Sequence, residues 1–457
     1  MRVSLPALGL LALLLAPALA NDPPIPAAGA LAEYVHRTQP GYAWKPVAEE
    51  QLPGGVALHR LELTSQTWQG KPWTHRLAVV VPPAPPAERA RPGHAVLLIT
   101  GSGGEERATT LVSSLAIQLG VPICALFDVP NQPLFEAEAG KGLKEDALIA
   151  YTFAKFLQTG DRSWPLLLPM TRSAVAAMDA LGEWSQARAE QGGWAFGKLE
   201  KFVTTGASKR GWTTWLTGVV DPRVIAIAPI VYDNLNIREQ LAHHNLSFGG
   251  PSASIGDYTA LGLTDLYKEP PARVLELLEI VDPYTYAKQL TLPKLALFGT
   301  NDSYWPVDSV NLYRGALVGD FNCHYVPNAG HSAGLSVVSA VAGFFDAVTG
   351  RIPPLPEVRM TLVPGQRAAR VELGRHPATP RRVRVWWAES GTRDFRKARW
   401  EPVEAAADGK GFLAPVPEGA LDGAGHAAFL AEVELNESSG STFLLHSPVQ
   451  VWERTSQ

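Results

Sequence analysis

An α/β protein with a mostly parallel sheet, followed by an all-β region, is what this sequence predicts. Three observations carry that reading. Runs such as HAVLLITGSGGEE, VPICALFDVPNQP, KFVTTGAS, RVIAIAPIVYD and PKLALFGTND are rich in Val, Ile and Leu without strict alternation. That pattern suits parallel strands covered on both faces. Helical periods lie between them, and beyond the proline-rich GRIPPLPEV they stop.

Each element has its own signal. HRLAVVVPP is a strand with a proline stop. In EDALIAYTFAKFLQTGD, Leu148, Ile149, Phe153, Phe156 and Leu157 share a helical face that ends at Gly160. PMTRSAVAAMDAL places Met170, Ala174, Met178 and Leu181 on a stripe, which reads as core packing. After residue 357 come short alternating segments: VRMTLVP, AARVELG, RRVRVWWAES, GFLAPVP, AAFLAEVEL and TFLLHSPVQVW. They predict an immunoglobulin/fibronectin-like sandwich. The basic strand RRVRVWW reads as a solvated face.

A chain of 457 residues exceeds one ordinary core. The expected division is a signal peptide (1–20), an α/β domain (21–349), a linker (350–357) and the sandwich (358–457). Two insertions, about 135–199 as a helical cap and about 244–283, are expected over the site. The signal peptide rests on Arg2, the short apolar run Leu8 to Leu15, and Ala18-Leu19-Ala20 as a small-x-small cleavage site. Export to the periplasm or beyond is therefore expected, with no stable membrane insertion after cleavage. A net charge of −4 provides no basic excess for nucleic acid or anionic lipid. Cys124 and Cys323 fall on strands expected far apart in the sheet, so free, buried thiols are expected. No cofactor is expected. The loop GSGG lacks the G-K-[ST] ending of a phosphate loop, and His243-His244 has no partners at metal-ligand spacing.

FVTTGASKRGWTTWLTG reads as a strand, a tight turn and a helix, with Ser208 at the corner. A serine hydroxyl needs a base to take its proton. On an α/β-hydrolase fold the nucleophile sits on such a turn, and its acid and histidine follow in that order, each after a strand. Asp302 in GTNDSYWP and His331 in NAGHS meet that order. The motif departs from G-x-S-x-G: Gly206 is present, but Arg210 stands where the second glycine belongs, and Gly211 comes one later. Oxyanion donors are expected from the Lys209 backbone N–H and from the loop holding Gly103 and Gly104. Glu105 and Glu106 favour a helix N-terminus, with a substrate-amine anchor as the alternative. Trp212, Trp305, Glu105 and Arg210 are the candidate pocket residues.

The segment FVTTGASKRGWTTWLTGVVDPRVIAIAPIVYDNLN closely resembles the PhoPQ-activated pathogenicity-related family of exported proteins. LELTSQTWQGKPWTHRLAVVVP, FGTNDSYWPVDS and WWAESGTRDFR resemble its pattern too. The resemblance runs from about Tyr34 into the β-rich region. It implies an α/β-hydrolase-like fold and supports Ser208, Asp302 and His331 as triad positions, without naming a substrate. The S-K-R-G turn alone is similar to glucuronoyl esterases, a hint towards acidic or bulky acyl groups. The expectation is an exported serine hydrolase with an acyl-enzyme mechanism, an esterase rather than a peptidase, acting on a small-molecule or polymer ester. Two other classes stay open: a non-catalytic binding or signalling protein on the same scaffold, and an exopeptidase anchored by Glu105 or Glu106.

Overall fold

The computed structural model describes residues 29–135, 142–266, 269–334, 336–374, 379–409, 411–436, 440 and 442–454. The expected signal peptide lies outside them. The α/β half is built from β1 (Ala43–Leu52), β2 (Val56–Trp68), β3 (Lys71–Val81), β4 (His94–Ile99), β5 (Ile123–Leu126), β6 (Lys201–Ala207), β7 (Val224–Ile230), β8 (Lys294–Gly299) and β9 (Phe321–Val326). Their order in the sheet is β1-β2-β3-β5-β4-β6-β7-β8-β9. Strands β4 to β9 run parallel, and β1 to β3 are antiparallel additions at one edge.

Helices cover both faces, as the unalternating strands require. They are α1 (Gly29–His36), α2 (Glu105–Leu119), α3 (Glu145–Thr159), α4 (Leu167–Gln191), α5 (Lys209–Val220), α6 (Ile237–Phe248), α7 (Gly256–Ala260), α8 (Ala272–Val281) and α9 (Ser336–Val348). On one face α4 packs on α5, α1 and β2; on the other, α2 packs with α9. The glycine stop of α3 holds: Gly160 is left-handed (φ 74°) and its N–H closes onto the Phe156 carbonyl at 2.8 Å.

The sheet order decides where a ligand can sit. The chain leaves β4 towards β5 on one side and returns to β6 on the other. The loops after β4 and β6 therefore part at their carboxyl ends and open a crevice there. Ile99 is in register with Gly206, so the TGSGG loop and the Ser208 turn leave the sheet side by side.

One expectation needs correction. Among the described residues, the segment 135–199 is not one cap; residues 136–141 lie outside them. Helix α4 is buried along most of its length, because its Met and Ala stripe allows close packing against α1, α5 and β2. Among the described residues of that segment, α3 reaches the site, facing α7 and α8. Residues 350–356 join α9 to β10 without regular structure. Arg351 there pairs with Asp346 at 3.0 Å, and both side chains are 2% exposed.

The C-terminal strands are β10 (Glu357–Val363), β11 (Ala368–Gly374), β12 (Arg382–Ser390), β13 (Glu401–Glu404), β14 (Ala406–Ala407), β15 (Phe412–Pro415), β16 (His426–Asn436), β17 (Thr442–His446) and β18 (Gln450–Glu453). A second sheet, β10-β11-β15-β14, is present. The remaining strands do not stand apart: β17 pairs with β9 at His446–Cys323, so β17-β16-β12-β13 continues the central sheet. Val358, Met360 and Val371 of the second sheet share a buried cluster with Val385, Phe429 and Val433, and with Val203 and Leu295 of the α/β half. An open β9 edge beside an amphipathic strand set gives both something to cover. The helix side is equally close, since a Cβ on Gly343 of α9 would lie 2.5 Å from the Phe443 ring. Cys124 on β5 and Cys323 on β9 are unpaired and buried.

Candidate active site

Strand β6 ends at Ala207, and Ser208 takes φ 57°, ψ −125° before α5 begins. A non-glycine residue there is strained by about 1–3 kcal/mol, and such strain gathers at functional turns. The turn holds because its neighbours can approach without side chains. A Cβ on Gly206 would lie 2.7 Å from the Arg210 carbonyl oxygen and 2.9 Å from that of Ile99. A Cβ on Gly211 would lie 2.9 Å from the Ile230 carbonyl oxygen. The crowded second position is therefore 211, and residue 210 is free to carry a side chain. This accounts for the displaced glycine of the motif.

The three separated residues meet. His331 Nε2 is 2.9 Å from Ser208 Oγ, and His331 Nδ1 is 2.8 and 3.0 Å from the two Asp302 oxygens. An ionised carboxylate only accepts, so Nδ1–H donates to Asp302 and Nε2 is left to accept from the serine. Asp302 also accepts from the Tyr304 N–H at 2.8 Å. The Tyr304 ring stacks on the imidazole, with centroids 4.0 Å apart and planes at 26°.

The loops that carry acid and base are tied together and to the C-terminal half. A Cβ on Gly299 would fall 2.4 Å from the carbonyl oxygens of Ala329 and Gly330, so β8 and the His331 loop can touch only through glycine. Asn301 donates to the carbonyls of Ala398 (2.7 Å), Phe395 and Arg396 (both 3.3 Å). Asn328 exchanges two hydrogen bonds with the Trp400 backbone, at 3.0 and 2.8 Å.

Beside the serine lies a charge cluster. Arg210 makes a two-pronged pair with Glu145, each arm 2.8 Å, and its Nε donates to the Val129 carbonyl. Lys209, 7% exposed, reaches Glu145 at 2.8 Å and Asp146 at 3.5 Å. Burial alone would raise the Glu145 carboxyl, but Arg210 and Lys209 outweigh it and hold it far below the usual range. Glu145 itself has φ 52°, kept there by Gln132, whose Oε1 accepts from its N–H at 2.8 Å. The Asp146 oxygens accept from the Tyr258 and Tyr304 hydroxyls, both at 3.3 Å. Burial first, then Asp146, pushes the Tyr304 phenol up to about 12.

Ser208 and Lys209 open onto a cavity of about 110 Å³, measured as the space available to the centre of a water-sized sphere. Its walls come from α3, the loop after β7, α6, the 255–281 segment and the loop after β8. Trp212 and Trp305 are in its lining; Trp212 stacks on Tyr232 at 5.0 Å and donates to the Val281 carbonyl. The insertion at 244–283 does lean over the site.

Glu105 and Arg210 are not in that lining. Glu105 opens α2 and is held by Arg60 and Arg76 in ion pairs. Gly103 and Gly104 are exposed, left-handed (φ 93° and 66°) and at the start of α2, with open space where a Cβ would be. Among the described residues there is no group of three or more His, Cys, Asp or Glu side chains that could hold a metal. None of their helices is long and apolar enough to cross a membrane. Sequence reasoning missed Asp146, Glu145, Tyr304, Asn301 and Asn328. Tyr304 and Asn301 lie beside Asp302, which was their one available signal; Glu145-Asp146 carry none beyond their place at the start of a helical run.

A strand order of this kind, with a serine on a strand-to-helix turn and acid and histidine on later loops, defines an α/β-hydrolase scaffold. Residues 31–396 match the model of the PhoPQ-activated pathogenicity-related proteins, and the chain belongs to that family. It is 33% identical over 323 residues to autocrine proliferation repressor protein A of Dictyostelium discoideum, covering 66% of this chain. The match spans 61% of that relative's length. Among solved structures, acetyl xylan esterase 1 from a Thermoanaerobacterium species is similar at 16% identity and a TM-score of 0.44, over 67% of this chain and 89% of that one. Puromycin hydrolase is similar at 15% identity and a TM-score of 0.39, over 68% of this chain and 40% of that one.

Proposed function

We propose that the protein is an exported serine hydrolase of the carboxylic-ester class, with Ser208 as nucleophile, His331 as general base and acid, and Asp302 as the group that orients it. The observation that carries this reading is the unbroken Oγ–Nε2 and Nδ1–carboxylate chain, at 2.9 and 2.8 Å, on a strained turn. Ser208 Oγ attacks the ester carbonyl as its proton passes to Nε2. The oxyanion meets the Lys209 N–H, one of the unpaired donors at the start of α5, and a backbone N–H of the Gly103–Gly104 loop. The C–O bond breaks, the alcohol leaves with the His331 proton, and water then releases the acid by the same route. The substrate is a small-molecule or polymer ester.

The competing classes fare less well. A non-catalytic protein would be supported by an Arg210 side chain across Ser208, but Arg210 turns to Glu145 and the cleft is open. The repressor role named for the Dictyostelium relative is the one observation in favour of that class. An exopeptidase needs a free carboxylate facing the serine; Glu105 is committed to two arginines, and neither Glu105 nor Glu106 lines the cavity. A fluorophosphonate probe should label the protein at Ser208, and Ser208→Ala should abolish labelling while changing the melting temperature by no more than a few degrees. Labelling that survives in the variant would sink the assignment.

A further inference from the structure

We infer that the site takes esters whose acyl group is apolar, of medium length and without a positive charge, bound in the cavity beside Ser208. This rests on the serine hydrolase reading above. The walls are mostly apolar or aromatic, with Phe153, Leu241, Val274 and Leu277 from three helices, together with Trp212 and Trp305. The space open to the centre of a water-sized sphere is about 110 Å³, well beyond what a single water needs, so the cavity has room for more than an acetyl group.

Charge narrows the class. The ionic groups bordering the cavity are Asp146, Lys209 and Arg238. Asp146 already serves two tyrosine hydroxyls and lies 3.5 Å from Lys209, which Glu145 also holds. Arg238 is exposed, in the first turn of α6 at the rim. A substrate ammonium would meet no unpaired carboxylate there and would lose its water against apolar walls. Position identifies the acyl side. Ser208 and Lys209 line the cavity, whereas His331, which hands its proton to the departing alcohol, does not.

The test uses the full-length protein and p-nitrophenyl esters of acetate, butyrate, hexanoate, heptanoate and octanoate, with the 6-aminohexanoate ester as a cationic match for heptanoate. Expected is a rise in kcat/KM of about fourfold per added methylene from acetate to hexanoate, with the amino ester at least 100-fold below heptanoate. Val274→Phe and, separately, Leu241→Trp should each lower the octanoate-to-acetate ratio at least tenfold. If the fluorophosphonate labels Ser208 but acetate is the best substrate, or the amino ester equals heptanoate, the hydrolase reading stands and this inference falls. If Ser208 is not labelled, both fall together.

Discussion

The two halves of the long sheet divide the work differently. The parallel half ends each buried strand in a loop at one lip, and those loops carry Ser208, Asp302 and His331. The antiparallel half carries none of the three, yet its β12–β13 connection holds two of them in place. Asn301 and Asn328, next to or near Asp302 and His331, are bonded to the backbone of residues 395–400. Arg393 of the same connection pairs with Asp308, which His243 also contacts at 2.7 Å. Reacting groups sit on loops, where they can meet a substrate, and loops are the least fixed part of a scaffold. The lesson is that a neighbouring sheet can supply the rigidity the loops lack.

That contrast can be broken by substitution. The largest effect belongs to the parallel half: Asp302→Asn should cut kcat about 10⁴-fold on p-nitrophenyl butyrate, because the amide favours the wrong imidazole tautomer. A loss below tenfold would remove Asp302 from its place.

Asn328→Ala tests the brace. It leaves a donor and an acceptor of Trp400 without their partner, at a cost of about 1–3 kcal/mol in stability. Misplacement of His331 should lower kcat on the order of 10- to 100-fold with KM nearly unchanged. A variant that loses only melting temperature would show that the antiparallel half is mere support.

Acid sharpens the comparison with a smaller effect. Burial holds His75 and His244 down to about 4 and His324 to about 3. The unfolded chain takes these protons near pH 6.5, well before the folded one does, so protons favour unfolding. Stability from the three neutral imidazoles is full above pH 6.5 and is lost as pH falls towards 4. The loss between pH 6.5 and 5.5 should be on the order of 3 kcal/mol, read by calorimetry. His324 lies at the seam, bonded to the Leu444 carbonyl at 2.9 Å. One cooperative transition at each pH is expected, since the halves share a sheet and a core. Two separate transitions would mean that the halves fold independently.

Much of the fold was legible along the chain. The buried runs, the glycine stop at Gly160, and the change of period after residue 357 are local signals, each read within a window of a few residues. So were Ser208, Asp302 and His331, because the fold requires them in chain order just after strands. Prolines mark the connection at 350–357 along the chain, but the burial of Arg351 against Asp346 depends on what packs above it. The stripe of α4 reads as core packing and is buried as such; the expected cap nevertheless took in α4, because a helical period does not say which of two successive helices faces the site.

By itself, then, the sequence determined element types, the turn at Ser208 and the chain order of Ser208, Asp302 and His331 after their strands, since these follow from local periodicity and backbone sterics. Only the tertiary structure decided that Gly211 does the work expected at position 210. The same is true of the pairing of Arg210 and Lys209 with Glu145 and Asp146, and of the hold that residues 395–400 have on the acid and base loops. Those are contacts between segments 63 to 97 residues apart or between close backbones. Pairings of that kind are chosen by the packing of the whole chain and leave no periodic trace in it.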